Sequence, residues 1–413
     1  MSVFILTMLV TLTGISCRSG HMKGAKVRVT IMHADAAATS LTYALLEPGD
    51  PAPWFQQRSS NGNPRFTFHT IAGRYIVLCF FGSAADPQSR AALDSVQTNR
   101  QVFDDNRASF FGVSLDPADE TEARVRDSMP GLRYFWDFDG TISRRYGAIG
   151  RETQSDVTLR NVRRFWIVLD PTLRVLAVIP FAPDGSDREA LFCFLRQLPE
   201  PVRFAGTELQ APILLLPNVF EPAFCRHLIG LYEQHGGKES GFMRDVDGKT
   251  VAIHDHGHKS RKDYTIEDQE LIKQTQARIM RRVAPEILKV HQFKVTRMER
   301  YIVSCYAAED GGHFQPHRDN TTKGTAHRRF AVSVILNEDF DGGEVSFPEY
   351  GQRGFKPPPG GAVVFSCSLL HAVSRVTRGR RFAFLPFLYD EAAAKIREAN
   401  NQFLGMGVGA YKS

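Results

Sequence analysis

The stretch HFQPHRDN, residues 313–320, places two histidines, an arginine and an aspartate within eight positions. In an extended segment, side chains at i and i+2 point to the same side. His317 and Asp319 therefore direct an imidazole and a carboxylate toward one point, while Arg318 faces elsewhere. These two groups are two ligands of a metal site that still requires a third.

The third ligand is expected from the segment LLHAVSRVTRGRRFAF, which supplies His371 at the end of the apolar run GAVVFSCSLL. Two histidines and one carboxylate on one face of a metal leave three coordination positions open. That arrangement is typical of non-haem Fe(II), which must bind a cosubstrate and dioxygen together.

An arginine near the predicted metal indicates the cosubstrate. Arg381 begins the strand RFAFLPFLY, ten residues after His371. An arginine that projects into a dry barrel is costly unless it meets an anion, and a dicarboxylate that chelates iron at one end offers its far carboxylate. The cosubstrate implied is 2-oxoglutarate. Arg380 is the rival for this role, but strand alternation directs it to the opposite face.

The other histidines and arginines are not expected to bind the metal or the cosubstrate. An HxD tripeptide alone is common in surface loops, so the combination with His371 and Arg381 carries the metal hypothesis. The cluster HDHGHK (254–259) favours a mobile lid or substrate loop over a second metal site, because no carboxylate or cysteine lies at ligand spacing. The remaining candidates are expected in loops or on solvated faces: His313, His327, Arg278, Arg281 and Arg282.

Length and composition predict two domains. The chain has 413 residues, 43% of them hydrophobic, which is too much for one compact core. The net charge is +6, but basic and acidic residues are interspersed and no basic block alternates with aromatic residues, so we expect no nucleic-acid partner. Six scattered cysteines without a CxxC pair are typical of reduced thiols and favour the cytoplasm.

The first residues allow a second view of location. MSVFILTMLVTLTGISCRSG has an apolar run of signal-peptide length before Cys17, without a preceding Lys or Arg. It is either a weak export signal or an extension upstream of an internal start such as Met22 or Met32. No other segment approaches the ~18 apolar residues of a membrane helix, so no membrane partner is expected.

Residues 43–200 alternate buried strands with helices, which predicts an α/β layer fold. The order of the segments resembles the peroxiredoxin (AhpC/TSA) branch of the thioredoxin fold. The resemblance is carried by EPGDPAPWFQQRSSNG, RYIVLCFFGSAADPQS and RRFWIVLDPTLRVLAV.

The matching region lacks the chemistry of that family. The position of the peroxidatic cysteine is occupied by Ser89, which follows Pro87, and a serine cannot reduce peroxide because it has no accessible anion or sulfenic acid. Cys79 lies within a strand and is interpreted as a core residue. Arg164 matches the family's arginine but has no thiolate to activate. The domain is therefore interpreted as a degenerate scaffold or partner-docking module.

After a linker at 201–211, residues 212–390 begin with helices at 220–236 and about 266–289 and continue as short strands. A closing helix and tail follow at 391–413. The order HRD, His371, Arg381 resembles the Fe(II)- and 2-oxoglutarate-dependent dioxygenases, and the surrounding segments resemble their prolyl 4-hydroxylase branch. The resemblance implies a double-stranded β-helix, or jelly roll.

The resemblance also implies roles. His317, Asp319 and His371 would ligate Fe(II), Arg381 would bind the distal carboxylate of 2-oxoglutarate, and Tyr306 would line the cosubstrate pocket. Dioxygen is the co-reactant and L-ascorbate the reductant. Ile335 and Phe314 depart from tyrosines of the family, which leaves the substrate open.

The expected reaction is oxidative decarboxylation of 2-oxoglutarate coupled to hydroxylation of a C–H bond, on a prolyl or other residue of a peptide or protein. A small-molecule or amino-acid hydroxylase and a non-catalytic redox-sensing or interaction scaffold are the alternatives. Peroxidase activity through Cys79 is a third, opposed by Ser89. The oligomeric state stays open, a homo-oligomer included.

Overall fold

The computed structural model describes residues 42–151, 161–405 and 408–411. The expected leader at 1–42, with Cys17, Met22 and Met32, lies outside these residues except for Thr42. No helix in the described part of the chain has both the length and the apolar character needed to cross a membrane.

The N-terminal domain is an α/β fold built on a five-stranded sheet. A short hairpin precedes the sheet, and the strands in chain order are β1 (Gln56–Gln57), β2 (Phe66–Thr67), β3 (Tyr75–Gly82), β4 (Ala108–Ser114), β5 (Leu132–Trp136), β6 (Phe165–Leu169) and β7 (Val175–Pro180). The helices are α1 (Pro87–Thr98), α2 (Pro117–Thr121), α3 (Thr141–Tyr146) and α4 (Ser186–Gln197). The sheet order is β5-β4-β3-β6-β7, with β3, β4 and β5 parallel and β6 and β7 antiparallel. This is the predicted thioredoxin-like fold with its late hairpin.

The central strand explains why this sheet is covered on both faces. Every residue of β3, YIVLCFFG, is buried, as expected for a strand between two helical layers. Residues that alternate along it contribute to two separate hydrophobic cores, one on each side of the sheet. Helix α1 begins sharply after β3, because Asp86 caps it and Pro87 occupies its first turn.

The C-terminal domain contains most of the strands. In chain order they are β8 (Leu214–Leu216), β9 (Lys238–Glu239), β10 (Phe242–Val246), β11 (Lys249–Ile253), β12 (Lys259–Ser260), β13 (Lys262–Thr265), β14 (Arg297–Glu299), β15 (Ile302–Ala307), β16 (His313–His317), β17 (Phe330–Ile335), β18 (Phe340–Asp341), β19 (Val345–Ser346), β20 (Gly354–Phe355), β21 (Ala362–Ser366), β22 (His371–Val373), β23 (Arg378–Phe384) and β24 (Phe387–Tyr389). Its helices are α5 (Pro222–His235), α6 (Gln269–Arg282), α7 (Ala284–His291) and α8 (Glu391–Ala399).

Two facing sheets form the predicted double-stranded β-helix. The larger follows the path β14-β24-β17-β23-β15-β13-β9, with β18, β21 and β8 beside it, and the smaller has the order β12-β16-β22-β19-β20. The pairings within both are antiparallel. A large apolar cluster joins the larger sheet to α5, α6 and α7, so these helices brace the barrel.

One helical prediction was wrong. The single helix expected at about 266–289 is two helices, because the chain breaks at Val283 and α7 restarts with Pro285 in its first turn. Proline lacks the N–H needed to continue a helix and disfavours helical geometry in the residue before it. The solvated face expected on α6 is also partly engaged, since Arg278 and Arg282 both pair with Glu221.

Candidate metal centre and cosubstrate pocket

The three predicted metal ligands meet at one end of the smaller sheet. His317 ends β16 and His371 begins β22, and the two are direct partners in the antiparallel ladder. Asp319 follows two residues after His317. Its Oδ1 lies 3.6 Å from His317 Nε2 and its Oδ2 lies 3.3 Å from His371 Nε2. One ligand atom from each residue lies within 4.8 Å of the others, as one small cation requires.

Backbone carbonyls select the histidine tautomer that a metal needs. His317 Nδ1 lies 2.7 Å from the carbonyl oxygen of Gln315, and His371 Nδ1 lies 3.0 Å from that of Leu369. Because a carbonyl oxygen only accepts hydrogen bonds, each Nδ1 carries the proton and each Nε2 presents its lone pair. Burial, and next the nearby His371, hold the pKa of His317 well below its ordinary value. Burial therefore favours the neutral imidazole at His317, the form that binds a metal.

Arg381 is fully buried in the same barrel and has unused hydrogen-bond donors. It lies in β23 opposite Tyr306 of β15, and its guanidinium carbon is 4.8 Å from the centre of the Tyr306 ring. Nη2 donates to Ser333 Oγ at 2.9 Å, whereas Nε and Nη1 have no partner among the described residues. No carboxylate of the described chain pairs with it. A buried cation with two free N–H groups is a site for an external carboxylate.

The tight hairpin after β18 makes room for the Arg381 side chain. A Cβ at Gly343 would lie 2.8 Å from Arg381 Cδ, and the residue has a φ of +66°. Glycine thus meets both a steric and a conformational requirement at this position. By contrast, Arg380 is exposed and donates to Glu233 at 2.9 Å, on the outside of the barrel.

A second arginine at the cosubstrate pocket has no counterpart in the sequence predictions. Arg261 Nη1 donates to the hydroxyl of Tyr306 at 3.2 Å, and its Nη2 pairs with Asp263 at 2.7 Å. Arg261 is therefore already neutralised, and it orients Tyr306 toward the pocket. Only the long-range pairing of β13 with β15 brings these residues together, so no local pattern reveals them. Ser333 was also missed, although a lone polar residue in the apolar run FAVSVI was a usable signal.

The predicted residues of the N-terminal domain lie apart from the metal centre. Ser89 is fully buried in the first turn of α1, where its hydroxyl donates to the carbonyl oxygen of Phe81 at 2.7 Å. Arg164 Nη2 lies 3.1 Å from Asp86 Oδ2, so the carboxylate neutralises its charge. Burial, and next Asp187, raises the pKa of the Cys79 thiol well above its ordinary value. This environment suits the core role assigned to Cys79.

Two histidines expected in loops or at the surface near the site are buried, His313 in β16 and His327 in a loop. His313 lies with Nδ1 at 2.8 Å from the carbonyl oxygen of Gly311, and His327 Nε2 lies 3.1 Å from the carboxylate of Glu299. The loop HDHGHK also differs from expectation, because a carboxylate does approach it. His254 and His256 flank Glu239 at 3.6 and 3.0 Å on an exposed surface. Within the described residues, only His317, Asp319 and His371 form a group suited to a metal ion.

A cleft of about 1450 Å³ opens on His317 and Asp319. One wall is formed by β10, part of β11 and the following loop of the C-terminal domain. The opposite wall belongs to the N-terminal domain, between residues 56 and 70. Arg65 crosses between the walls, since it donates to the carbonyl oxygen of Asp245 and lies 3.7 Å from the carboxylate of Asp247. Both domains therefore shape the space in front of the metal centre.

Comparison with known families accounts for both domains. Residues 301–389 match the family model of the 2OG-Fe(II) oxygenase superfamily. The C-terminal domain is a 2OG-Fe(II) oxygenase. Residues 48–175 match the AhpC/TSA family, so this oxygenase is joined to a peroxiredoxin-like domain that has Ser89 at the peroxidatic position. The oxygenase family implies Fe(II) and 2-oxoglutarate.

Curated relatives and solved structures resemble one domain each. The chain is 29% identical over 180 residues to a PKHD-type hydroxylase of Pseudomonas fluorescens (strain Pf0-1), covering 41% of this chain and 75% of that protein. It is 40% identical over 84 residues to one of Paracoccus denitrificans (strain Pd 1222), covering 18% of this chain and only 37% of that protein. A prolyl hydroxylase from Trichoplax adhaerens has 17% identity and a TM-score of 0.36, covering 45% of this chain and 85% of that one. Peroxidoxin BcpB from Mycobacterium tuberculosis has 22% identity and a TM-score of 0.32, covering 38% and 99%.

The residues of the site fit both groups that the family implies. Two imidazole nitrogens and a carboxylate converge with their lone pairs directed inward, as Fe(II) requires. The unused N–H groups of Arg381 match one carboxylate of 2-oxoglutarate.

Proposed function

We propose that this protein is a 2-oxoglutarate-dependent hydroxylase in which His317, Asp319 and His371 hold Fe(II) and Arg381 binds the distal carboxylate of the cosubstrate. The observation that carries the assignment is the pair of unpartnered donors on Arg381, buried in the barrel that also carries the three convergent ligands. When bound, iron and 2-oxoglutarate supply an oxidant from dioxygen that hydroxylates a C–H bond, with succinate and carbon dioxide released.

The chain's own residues bind and orient these groups. The carbonyl oxygens of Gln315 and Leu369 keep the protons of the two histidines on Nδ1, so Nε2 stays available to the metal. Tyr306, held by Arg261, and Ser333, bonded to Arg381, fix the guanidinium in the pocket. Burial of Arg381 and Tyr306 excludes water from the end of the pocket where the anion would lie.

The substrate we propose is a residue in an extended segment of a polypeptide, with proline as the first candidate. The cleft of about 1450 Å³ exceeds the ~300–1000 Å³ of common small-molecule sites, and it is lined by polar and charged groups from two domains. Proline is favoured by the resemblance to prolyl 4-hydroxylases. We further propose that ascorbate serves as reductant and that the protein acts in the cytoplasm, which agrees with the burial of Cys79, Cys225, Cys305 and Cys367 as thiols.

Succinate formation tests the proposal directly. Anaerobically purified protein receives Fe(II), ascorbate and 2-oxoglutarate, then air, with and without proline-containing peptides. We expect wild-type turnover, no turnover for His317→Ala, and a much higher 2-oxoglutarate requirement for Arg381→Ala. Arg380→Ala is the matched control, because this arginine is adjacent but bonds to Glu233 outside the barrel. Failure to bind iron or 2-oxoglutarate by calorimetry would leave the scaffold hypothesis in place.

A further inference from the structure

Arg318, which separates the ligands His317 and Asp319, is held in a buried ion pair. Its guanidinium donates to Glu349 through both terminal nitrogens, Nη2 to Oε1 at 2.8 Å and Nη1 to Oε2 at 3.1 Å. The two side chains are only 3% and 10% exposed. Such a two-point contact fixes the orientation of both groups, and with them the turn that carries Asp319.

Glu349 connects this turn to the third ligand. Its Oε2 also accepts a hydrogen bond from the backbone N–H of Leu370 at 3.1 Å. Leu370 immediately precedes His371. One carboxylate therefore joins the segment that carries His317 and Asp319 to the segment that carries His371.

The outer side of this connection is covered by the N-terminal domain. The guanidinium carbon of Arg318 lies 4.4 Å from the centre of the Trp54 ring, and the His69 ring packs against Trp54, tilted by 31°, with ring centres 4.6 Å apart. Burial, followed by the charge of Arg318, lowers the pKa of His69 to about 4. His69 is thus neutral at physiological pH and adds no second positive charge behind Arg318.

The same domain also encloses the residue before His371. Leu370 is fully buried and belongs to the hydrophobic core of the N-terminal domain, together with Ala52, Phe55 and Phe68. The two backbones also meet closely one residue before Glu349, since a Cβ at Gly73 would lie 2.8 Å from the carbonyl oxygen of Pro348. Two contacts therefore tie the N-terminal domain to the ligand-bearing segments of the oxygenase, and a third ties it to the segment that carries Glu349.

We propose that the peroxiredoxin-like domain functions as a buttress of the oxygenase metal centre. In this role Trp54 and the core around Leu370 position the metal ligands through Arg318 and Glu349. The inference rests on the proposed metal site and assigns a function to a domain that has Ser89 in place of the peroxidatic cysteine. Trp54 and Arg318 are positioning residues, since they act through the segments that carry the ligands.

The physical reason for the buttress is exclusion of water from the ion pair. A buried charge pair is well ordered only while solvent is kept away, and the face of the indole ring both covers and attracts the guanidinium. Trp54 itself is 46% exposed, so its removal opens a path to Arg318 without creating a cavity in a core. Trp54→Ala is therefore expected to fold and to loosen the turn between His317 and Asp319.

The experiment measures metal binding by the full chain. Fe(II) affinity is determined by calorimetry under argon, and Co(II) is added separately because its visible absorption reports coordination geometry. Loss of a group that orients metal ligands costs roughly 10- to 100-fold in affinity. We expect about 10-fold weaker Fe(II) binding and an altered Co(II) spectrum for Trp54→Ala. Phe138→Ala is the control, because it removes another ring of the same domain that contacts an arginine; the guanidinium carbon of Arg58 lies 5.4 Å from the centre of the Phe138 ring. This variant is expected to leave the Fe(II) affinity and the Co(II) spectrum unchanged.

A second variant covers the case in which Trp54→Ala fails to fold. Arg318→Lys keeps the charge but loses the two-point contact with Glu349, and we expect the same weakening and spectral change. Unfolding midpoints without metal are compared, because a purely structural role would lower them without altering the Co(II) spectrum. Wild-type affinity and spectrum in every folded variant would overturn the buttress. Absence of Fe(II) binding by the wild type would instead overturn the proposed function.

Discussion

Replacement of Arg381 by methionine distinguishes between two roles of this residue, binding of a ligand and stabilisation of the fold. The substitution keeps most of the side-chain volume but removes the charge and all donors. In the folded protein Arg381 contributes one hydrogen bond, to Ser333, and one ring contact, to Tyr306. The Nε and Nη1 groups contribute nothing to the fold, because they have no partner in the described chain.

The expected magnitudes follow from these contacts. A hydrogen bond to a charged group is worth about 1.5–3 kcal/mol, so two such bonds to 2-oxoglutarate amount to about 3–6 kcal/mol. At ~1.4 kcal/mol per tenfold, Arg381→Met should weaken 2-oxoglutarate binding by at least about 100-fold. The free energy of unfolding should stay within about 1 kcal/mol or increase, since the lost contacts are offset by removal of a buried cation without a carboxylate partner.

The assay combines 2-oxoglutarate calorimetry on the Fe(II)-loaded protein under argon with urea unfolding of the metal-free protein. Arg380→Met serves as the control and should change neither quantity by much. The reasoning is refuted if Arg381→Met destabilises the metal-free protein by more than about 2 kcal/mol while 2-oxoglutarate binds as in the wild type. That result would make Arg381 a packing residue.

Three further predictions concern other parts of the chain. Gly343→Ala should weaken 2-oxoglutarate binding measurably in the same calorimetric assay, because its Cβ would displace Arg381; unchanged affinity would contradict this. Glu299→Gln should lower the free energy of unfolding at pH 7 by about 3–5 kcal/mol in urea, because His327, Arg328 and Arg397 lose their common partner. Burial alone would raise the pKa of Glu299, but Arg328, the hydrogen bond with His327 and Arg397 hold this pKa well below its ordinary value. The stability difference between wild type and Glu299→Gln should therefore fade as the pH falls below about 4.3, where the wild-type protein loses this contribution. Ser89→Cys should give no peroxide reduction, because Asp86 neutralises Arg164 and lies 3.2 Å from the side chain of residue 89. Alkylation rates measured against pH should show a more acidic thiol after the additional change Asp86→Asn. An acidic thiol in the single variant Ser89→Cys would contradict this explanation.

The arrangement of the two domains bears on why they share a chain. The peroxiredoxin-like domain contributes a wall of the cleft that opens on the metal centre, and its Trp54 lies over Arg318 in the ligand turn. A fold that lacks its reactive thiol can still be retained when a neighbouring site depends on its surface.

Short-range patterns sufficed for much of the chemistry. The spacing of His317 and Asp319 reports a shared direction, because side chains alternate along an extended segment. The same alternation separated Arg381 from Arg380, and the structure directs one inward and the other to Glu233. Ser89, which follows Pro87, was assigned to the peroxidatic position through the resemblance to the peroxiredoxin family. The break at Val283 was missed, although Pro285 two residues later was a usable signal.

Contacts between distant segments could not be predicted in this way. Three such contacts involve a charged residue that the sequence alone would place on a solvated surface. They join Arg261 to Tyr306, Glu299 to His327 and Glu349 to Arg318. A charged side chain is buried only where a partner neutralises it, and its partner is set by the path of the whole chain rather than by its neighbours. The sequence by itself thus determined which residues could bind iron and 2-oxoglutarate, and the tertiary structure alone decided which charges support them and that a second domain encloses the site.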